Sequence, residues 1–143
     1  MTAALAEPFR DSGITKVASV EARGFAIGAA VASSLSAGFV AARKHGAIHP
    51  GSKVRVPTDT DWRGRVNELE LLRASLEPQD RVLVVDDWAE TGSQATATRS
   101  LIERCGASYI GLSLLVDQLT DEMRERLAPV ASIVRCDEFP PSE

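Results

Sequence analysis

The chain has 143 residues, 44% of them hydrophobic and 25% charged, long enough to bury a core without disulfides or a structural metal. Lys and Arg number 16 against 20 Asp and Glu, so the formal charge of −4 excludes an overall basic footprint for nucleic acid, and any phosphate-binding surface must be local. No basic segment followed by an apolar stretch opens the chain and no run approaches a membrane span, which leads us to expect a cytoplasmic protein without a membrane partner. Cys105 and Cys136 lack metal or redox spacing and read as free thiols.

Leu5 to Ser12 reads as the tail of a helix ended by Gly13, and Ile14 to Val20 as a first strand. Gly24 to Leu35 is rich in small residues, a helix able to pack closely on a sheet. Phe39 to Ala42 predicts a second strand before the polar turn Arg43-Lys44-His45-Gly46. His45 and His49 have the spacing of a zinc pair on a helix, but Gly46 and Pro50 favour a loop without metal. Between about residues 51 and 76, Lys53 to Val56 alternates, Pro57 to Gly64 is turn-rich, and Val66 to Leu72 alternates again, the pattern of a hairpin with a mobile tip.

Val82 to Val85 is a continuous aliphatic run, as expected of a parallel strand covered on both faces. A helix from the Ser93-Gln94 turn to Arg104, a strand from Tyr109 to Val116, a short helix from Thr120 to Leu127 and a strand from Ala131 to Arg135 complete the chain before a Pro-rich tail. The reading is one α/β domain spanning 1–143. Its sheet is mostly parallel and five-stranded, flanked by helices, with the hairpin as an excursion.

Asp86 and Asp87 fall at the carboxyl end of the aliphatic strand, where open α/β sheets bind their ligands. Thr91-Gly92-Ser93 then turns into a helix whose first N–H groups and positive dipole end suit an anion. Carboxylates for sugar hydroxyls and amides for a phosphate thus lie side by side. Neither a Walker A sequence nor G-x-G-x-x-G occurs, so those nucleotide cradles do not explain the pattern. A receiver-like signalling domain also places acidic pairs after a strand, but after its first one.

The stretch Val84-Val-Asp-Asp-Trp-Ala-Glu-Thr-Gly-Ser93 resembles the phosphoribosyl-diphosphate (PRPP) signature of type I phosphoribosyltransferases. Glu21-Ala-Arg-Gly-Phe25, with Phe39-Val-Ala-Ala-Arg-Lys-His-Gly46, is similar more narrowly to the diphosphate loop and basic turn of adenine phosphoribosyltransferases. Leu76 to Val82 and Leu127 to Val130 continue the likeness in order. The resemblance implies transfer of phosphoribose from PRPP to a purine-like base, with release of diphosphate, in purine salvage. A non-catalytic sensor of PRPP or a nucleotide on the same fold is the alternative.

The resemblance assigns Asp86 and Asp87 to the ribose hydroxyls, where their negative field favours an oxocarbenium-like ring. It assigns Thr91, Gly92, Ser93 and Gln94 to the 5′-phosphate, with Ala89 in the same PRPP-binding stretch. Arg23, with the backbone of Ala22 and Gly24, is assigned to diphosphate, and Lys44 adds a point charge. On the residues alone, Arg23 could instead pair with Glu21, and Lys44 could lie in a solvated loop or a subunit interface. The family implies Mg²⁺ held mainly by PRPP near Asp86 and Asp87, with no direct protein ligand set, and a homodimer.

The sequence departs from adenine phosphoribosyltransferases at four places. Those enzymes carry an N-terminal hood over the base, and here only Met1 to Gly13 precede the first strand, so an incomplete base pocket is expected; Phe9-Arg-Asp11 resembles a hood motif only by coincidence. Glu90 stands where they have a small residue and 6-oxopurine enzymes an Asp. It either contacts or deprotonates the acceptor base, as a catalytic residue beside Arg23 and Lys44, or faces solvent. Gln94 replaces a hydroxyl residue and Trp88 adds bulk beside the ribose. The hairpin lacks the family's Ser-Tyr pair; Trp62 and Arg63 are candidates to replace it, with tip packing the other reading of Trp62.

Overall fold

The aliphatic run after Arg81 becomes the central part of a seven-stranded sheet in the computed structural model, which describes residues 1–46, 50–59 and 64–138. In chain order the elements are α1 (Thr2–Ala6), β1 (Lys16–Val20), α2 (Arg23–Ser34), β2 (Gly38–Lys44), β3 (Lys53–Pro57) and β4 (Glu68–Leu72). They continue with β5 (Arg81–Ala89), α3 (Ser93–Arg104), β6 (Ser108–Asp117), α4 (Asp121–Arg126) and β7 (Val130–Arg135). The strand order is β3-β4-β2-β1-β5-β6-β7. Strands β2, β1, β5, β6 and β7 run parallel, as the five aliphatic and mixed runs predicted.

Val82, Leu83, Val84 and Val85 are all buried, because helices cover both faces of β5. Val82 and Val84 pack with Leu101, Ile102 and Leu112 on the α3 side; Leu83 and Val85 pack with Leu5, Val17 and Val31 on the α1 and α2 side. The small residues of α2 have a clear purpose. A Cβ on Gly28 would stand 1.9 Å from Ser19 Oγ, so only glycine lets the helix seat this closely on β1.

Three local outcomes differ from the sequence expectation. The first helix stops at Ala6 and tightens into a 3₁₀ turn over Glu7–Phe9, because Pro8 has no N–H to continue the α-helical ladder. Strand β2 runs on to Lys44, so Arg43 and Lys44 belong to a strand rather than to the polar turn. What holds them there is antiparallel pairing with β4, Arg43 opposite Glu70 and Lys44 opposite Leu69. The same pairing joins the hairpin β3–β4 to the sheet and brings its strand count to seven. Residues 60–63 of the expected mobile tip, Trp62 and Arg63 among them, lie outside the described residues, as does His49.

The hairpin is fastened by a carboxylate that its alternation did not announce. Glu70 is fully buried, yet Arg55 Nε lies 3.0 Å, His45 Nδ1 3.4 Å and Lys53 Nζ 3.5 Å from its oxygens. Burial by itself would raise its carboxyl. Hydrogen bonds from Arg55 and His45, with the charges of Lys53 and Arg55, outweigh that and hold it below the usual carboxylate range.

Candidate functional site

The carboxyl ends of β1 and β5 open onto a cleft of about 750 Å³. The residues that the resemblance assigned to PRPP line it: Ala22, Arg23 and Gly24 after β1, Lys44 at the end of β2, Asp86, Asp87 and Ala89 in β5, and Thr91 to Gln94 in the following turn, with Glu90 beside them. Thr58, Asp59 and Asn67, from the base of the hairpin, also face it. Sequence reasoning passed over these three, since only the β2–β4 pairing brings the hairpin to this edge.

Strand β5 extends through Ala89, so both aspartates are held in extended backbone, with Asp86 opposite Leu114 of β6. Burial pushes the Asp86 carboxyl up to about 7; the charge of Asp87 adds to this, while the Asp87 N–H, 2.9 Å from Asp86 Oδ1, and Arg23 oppose it. Gly24 sits so close that a Cβ there would meet Asp86 Oδ1 at 3.0 Å, which makes glycine the residue that leaves this carboxylate its place.

Arg23 opens α2 with its side chain 84% exposed and its Nε 3.1 Å from Asp87 Oδ2. Its ion-pair partner is therefore Asp87 across the cleft. Glu21 has a different task from pairing with Arg23: its Oε1 accepts the Lys44 backbone N–H at 2.7 Å, tying the end of β2 to the loop after β1. No feature of the sequence signalled that bond, whose partners are separated by 23 positions. The Glu21–Ala22 peptide is cis.

The turn into α3 depends on Gly92, whose φ of 78° lies in the left-handed region, and where a Cβ would stand 2.6 Å from Met123 Cγ. Ser93 N–H is held by Thr91 Oγ1 at 3.3 Å, and the first helical hydrogen bond is Thr96 N–H to Gly92 O at 2.9 Å. The amides of Gln94 and Ala95 precede that bond and are the donors a helix start offers to an anion. Trp88 is half-exposed, its Nε1 donating to Gln118 Oε1 at 3.1 Å, and Glu90 is exposed at the cleft. Among the described residues the lining carries five carboxylates, Glu21, Asp59, Asp86, Asp87 and Glu90, against the cations Arg23 and Lys44.

Fold and cleft together define a class: a doubly wound α/β protein with an oxygen-rich cleft at the carboxyl edge of its sheet. The profile of the Phosphoribosyl transferase domain matches residues 2–141, and the chain belongs to this phosphoribosyltransferase family. An adenine phosphoribosyltransferase of Rhizobium leguminosarum is 35% identical over 130 residues, covering 91% of this chain and 70% of the relative. One from Dinoroseobacter shibae is 43% identical over 113 residues, 79% of this chain; the chain spans 62% of that relative's length. Among solved structures, the adenine phosphoribosyltransferase of Rhodothermus marinus superposes with a TM-score of 0.83 at 36% identity, covering 94% of this chain and 76% of the other. The Giardia lamblia enzyme, complexed with 9-deazaadenine, gives 0.82 at 30% identity with the same coverage.

Proposed function

We propose that this chain transfers the 5-phosphoribosyl group of PRPP to a purine-like base and releases diphosphate, a purine-salvage reaction carried out in the cytoplasm. The observation that carries the proposal is the convergence of Arg23, the Asp86-Asp87 pair and the Thr91-to-Gln94 turn on one cleft. In the reaction the bond from the anomeric carbon to diphosphate oxygen breaks and a bond to a base nitrogen forms. Positive charge spreads over the ribose ring as this happens, and negative charge collects on the leaving group.

Asp86 and Asp87 hold the ribose hydroxyls and stabilise the ring charge. The exposed guanidinium of Arg23 exchanges Asp87 for the diphosphate oxygens, with Lys44 adding charge from β2. Gln94 and Ala95 amides, with the Thr91 and Ser93 hydroxyls, cradle the 5′-phosphate. Glu90, exposed at the same edge, accepts the proton that the base nitrogen loses.

Mg²⁺ fits the donors available. Carried mainly by substrate oxygens, the ion would find Asp86 and Asp87, which line the cleft, as the nearby hard carboxylates. It would offset charge on the departing diphosphate. A homodimer is part of the same proposal, and the partly exposed Phe39, edge-on to Phe25 at 5.6 Å beside Arg43, is the face that supports it.

A diphosphate-release assay across adenine, hypoxanthine, guanine, xanthine, uracil and orotate tests the reading. Release with one or more purines is the expected result. PRPP binding with no release in any arm would leave a sensor instead. Glu90→Ala is expected to lower turnover or change base preference, and an unchanged base panel removes Glu90 from the chemistry.

A further inference from the structure

Ser93 opens α3, and its Oγ accepts the backbone N–H of Asp59 at 3.0 Å, across 34 positions of sequence. Asp59 follows Thr58, whose N–H and hydroxyl both donate to Asn67 O, at 2.7 and 3.1 Å, closing the base of the β3–β4 hairpin. One hydroxyl therefore joins the turn after β5 to the hairpin. A serine hydroxyl has one proton and two lone pairs. Asp59 uses a lone pair, and among the described residues the proton meets no acceptor, while the residue itself lines the cleft.

We infer that Ser93 is a positioning residue that couples phosphate in the cleft to the base of the hairpin. The inference rests on the reading above, that this turn takes the 5′-phosphate. A phosphate oxygen accepting the Ser93 proton makes the hydroxyl oxygen more negative, and the bond it accepts from Asp59 N–H strengthens, as in any polarised hydrogen-bond chain. Occupancy of the cradle thus fixes Thr58, Asp59 and Asn67 against the cleft they line. An alanine at this position keeps the helix and its backbone amides but severs the link.

The test is NMR hydrogen exchange at the Asp59 amide, with and without ribose 5-phosphate, in wild type, Ser93→Ala and Ser93→Thr, with calorimetric titration of the same ligand. In wild type the ligand slows Asp59 exchange. Ser93→Ala still binds, roughly three- to tenfold more weakly, and its Asp59 exchange does not respond; Ser93→Thr restores both. Ligand-dependent protection of Asp59 that survives in Ser93→Ala overturns the coupling, and so does binding to wild type without protection. Should Ser93→Ala fail to fold, the wild-type arm and Ser93→Thr still decide. If ribose 5-phosphate does not bind wild type at all, the phosphate reading of the turn fails, and the coupling fails with it.

Discussion

Two carboxylates on strands β4 and β5, with β2 and β1 between them, are treated in opposite ways. Glu70, in the hairpin, is wholly buried and yet held low, because Arg55, His45 and Lys53 surround it. Asp86, in the cleft, retains some exposure and yet is pushed up to about 7, because burial and Asp87 act on it with only Arg23 and one N–H opposing. The hairpin carboxylate is compensated within the protein. The cleft carboxylate is left for a ligand to compensate, which is where functional groups depart from structural ones.

Breaking the hairpin side of this contrast is expected to have the largest effect. Glu70→Ala removes the acceptor that Arg55, His45 and Lys53 share and is expected to cost about 2 kcal/mol of unfolding free energy, read by urea titration. A change below the error of that titration would mean the cluster does not fasten β3 to β4.

Breaking the cleft side acts on chemistry instead. Asp86→Asn is expected to lower turnover about 100-fold while the unliganded protein is at least as stable as wild type at pH 8. The pH dependence sharpens this. Because the folded Asp86 value is raised from 3.8 to about 7, its contribution to stability is full below 3.8 and is lost as pH rises toward 7. The melting temperature of Asp86→Asn should therefore gain on wild type between pH 5 and pH 8, and a constant difference would contradict the assignment. Glu70 has the reverse sign: its contribution is present above 4.5 and is lost as acid protonates it.

The smallest effect on stability is expected at the Arg23–Asp87 pair, whose guanidinium is exposed. Arg23→Ala should change unfolding by under about 1 kcal/mol. Its KM for PRPP should nevertheless rise about tenfold, from loss of a charged hydrogen-bond donor to diphosphate. An unchanged KM would assign the guanidinium to Asp87 alone.

The turn after β5 was legible because its parts are contiguous. An aliphatic run, two aspartates, a Thr-Gly turn and a helix start carry their geometry in local chain preferences, and the cleft contains every residue read from them. The hairpin was legible only as alternation. That it extends the sheet from β2, that Arg43 and Lys44 lie in a strand, and that Thr58, Asp59 and Asn67 reach the cleft all depend on pairing between distant segments.

Sequence by itself determined the parallel core, the placement of Asp86 and Asp87 at its carboxyl edge, and the glycine at the start of α3, since hydrophobic periodicity and backbone sterics act over a few residues. Tertiary structure alone decided which charges meet. It gave Arg23 to Asp87 instead of Glu21, gave Glu21 to the Lys44 backbone, enclosed Glu70 in cations, and set Ser93 against Asp59. Charged and hydroxyl side chains take whichever partner the fold brings within about 3 Å, and that distance is set by strands and helices far apart in the chain.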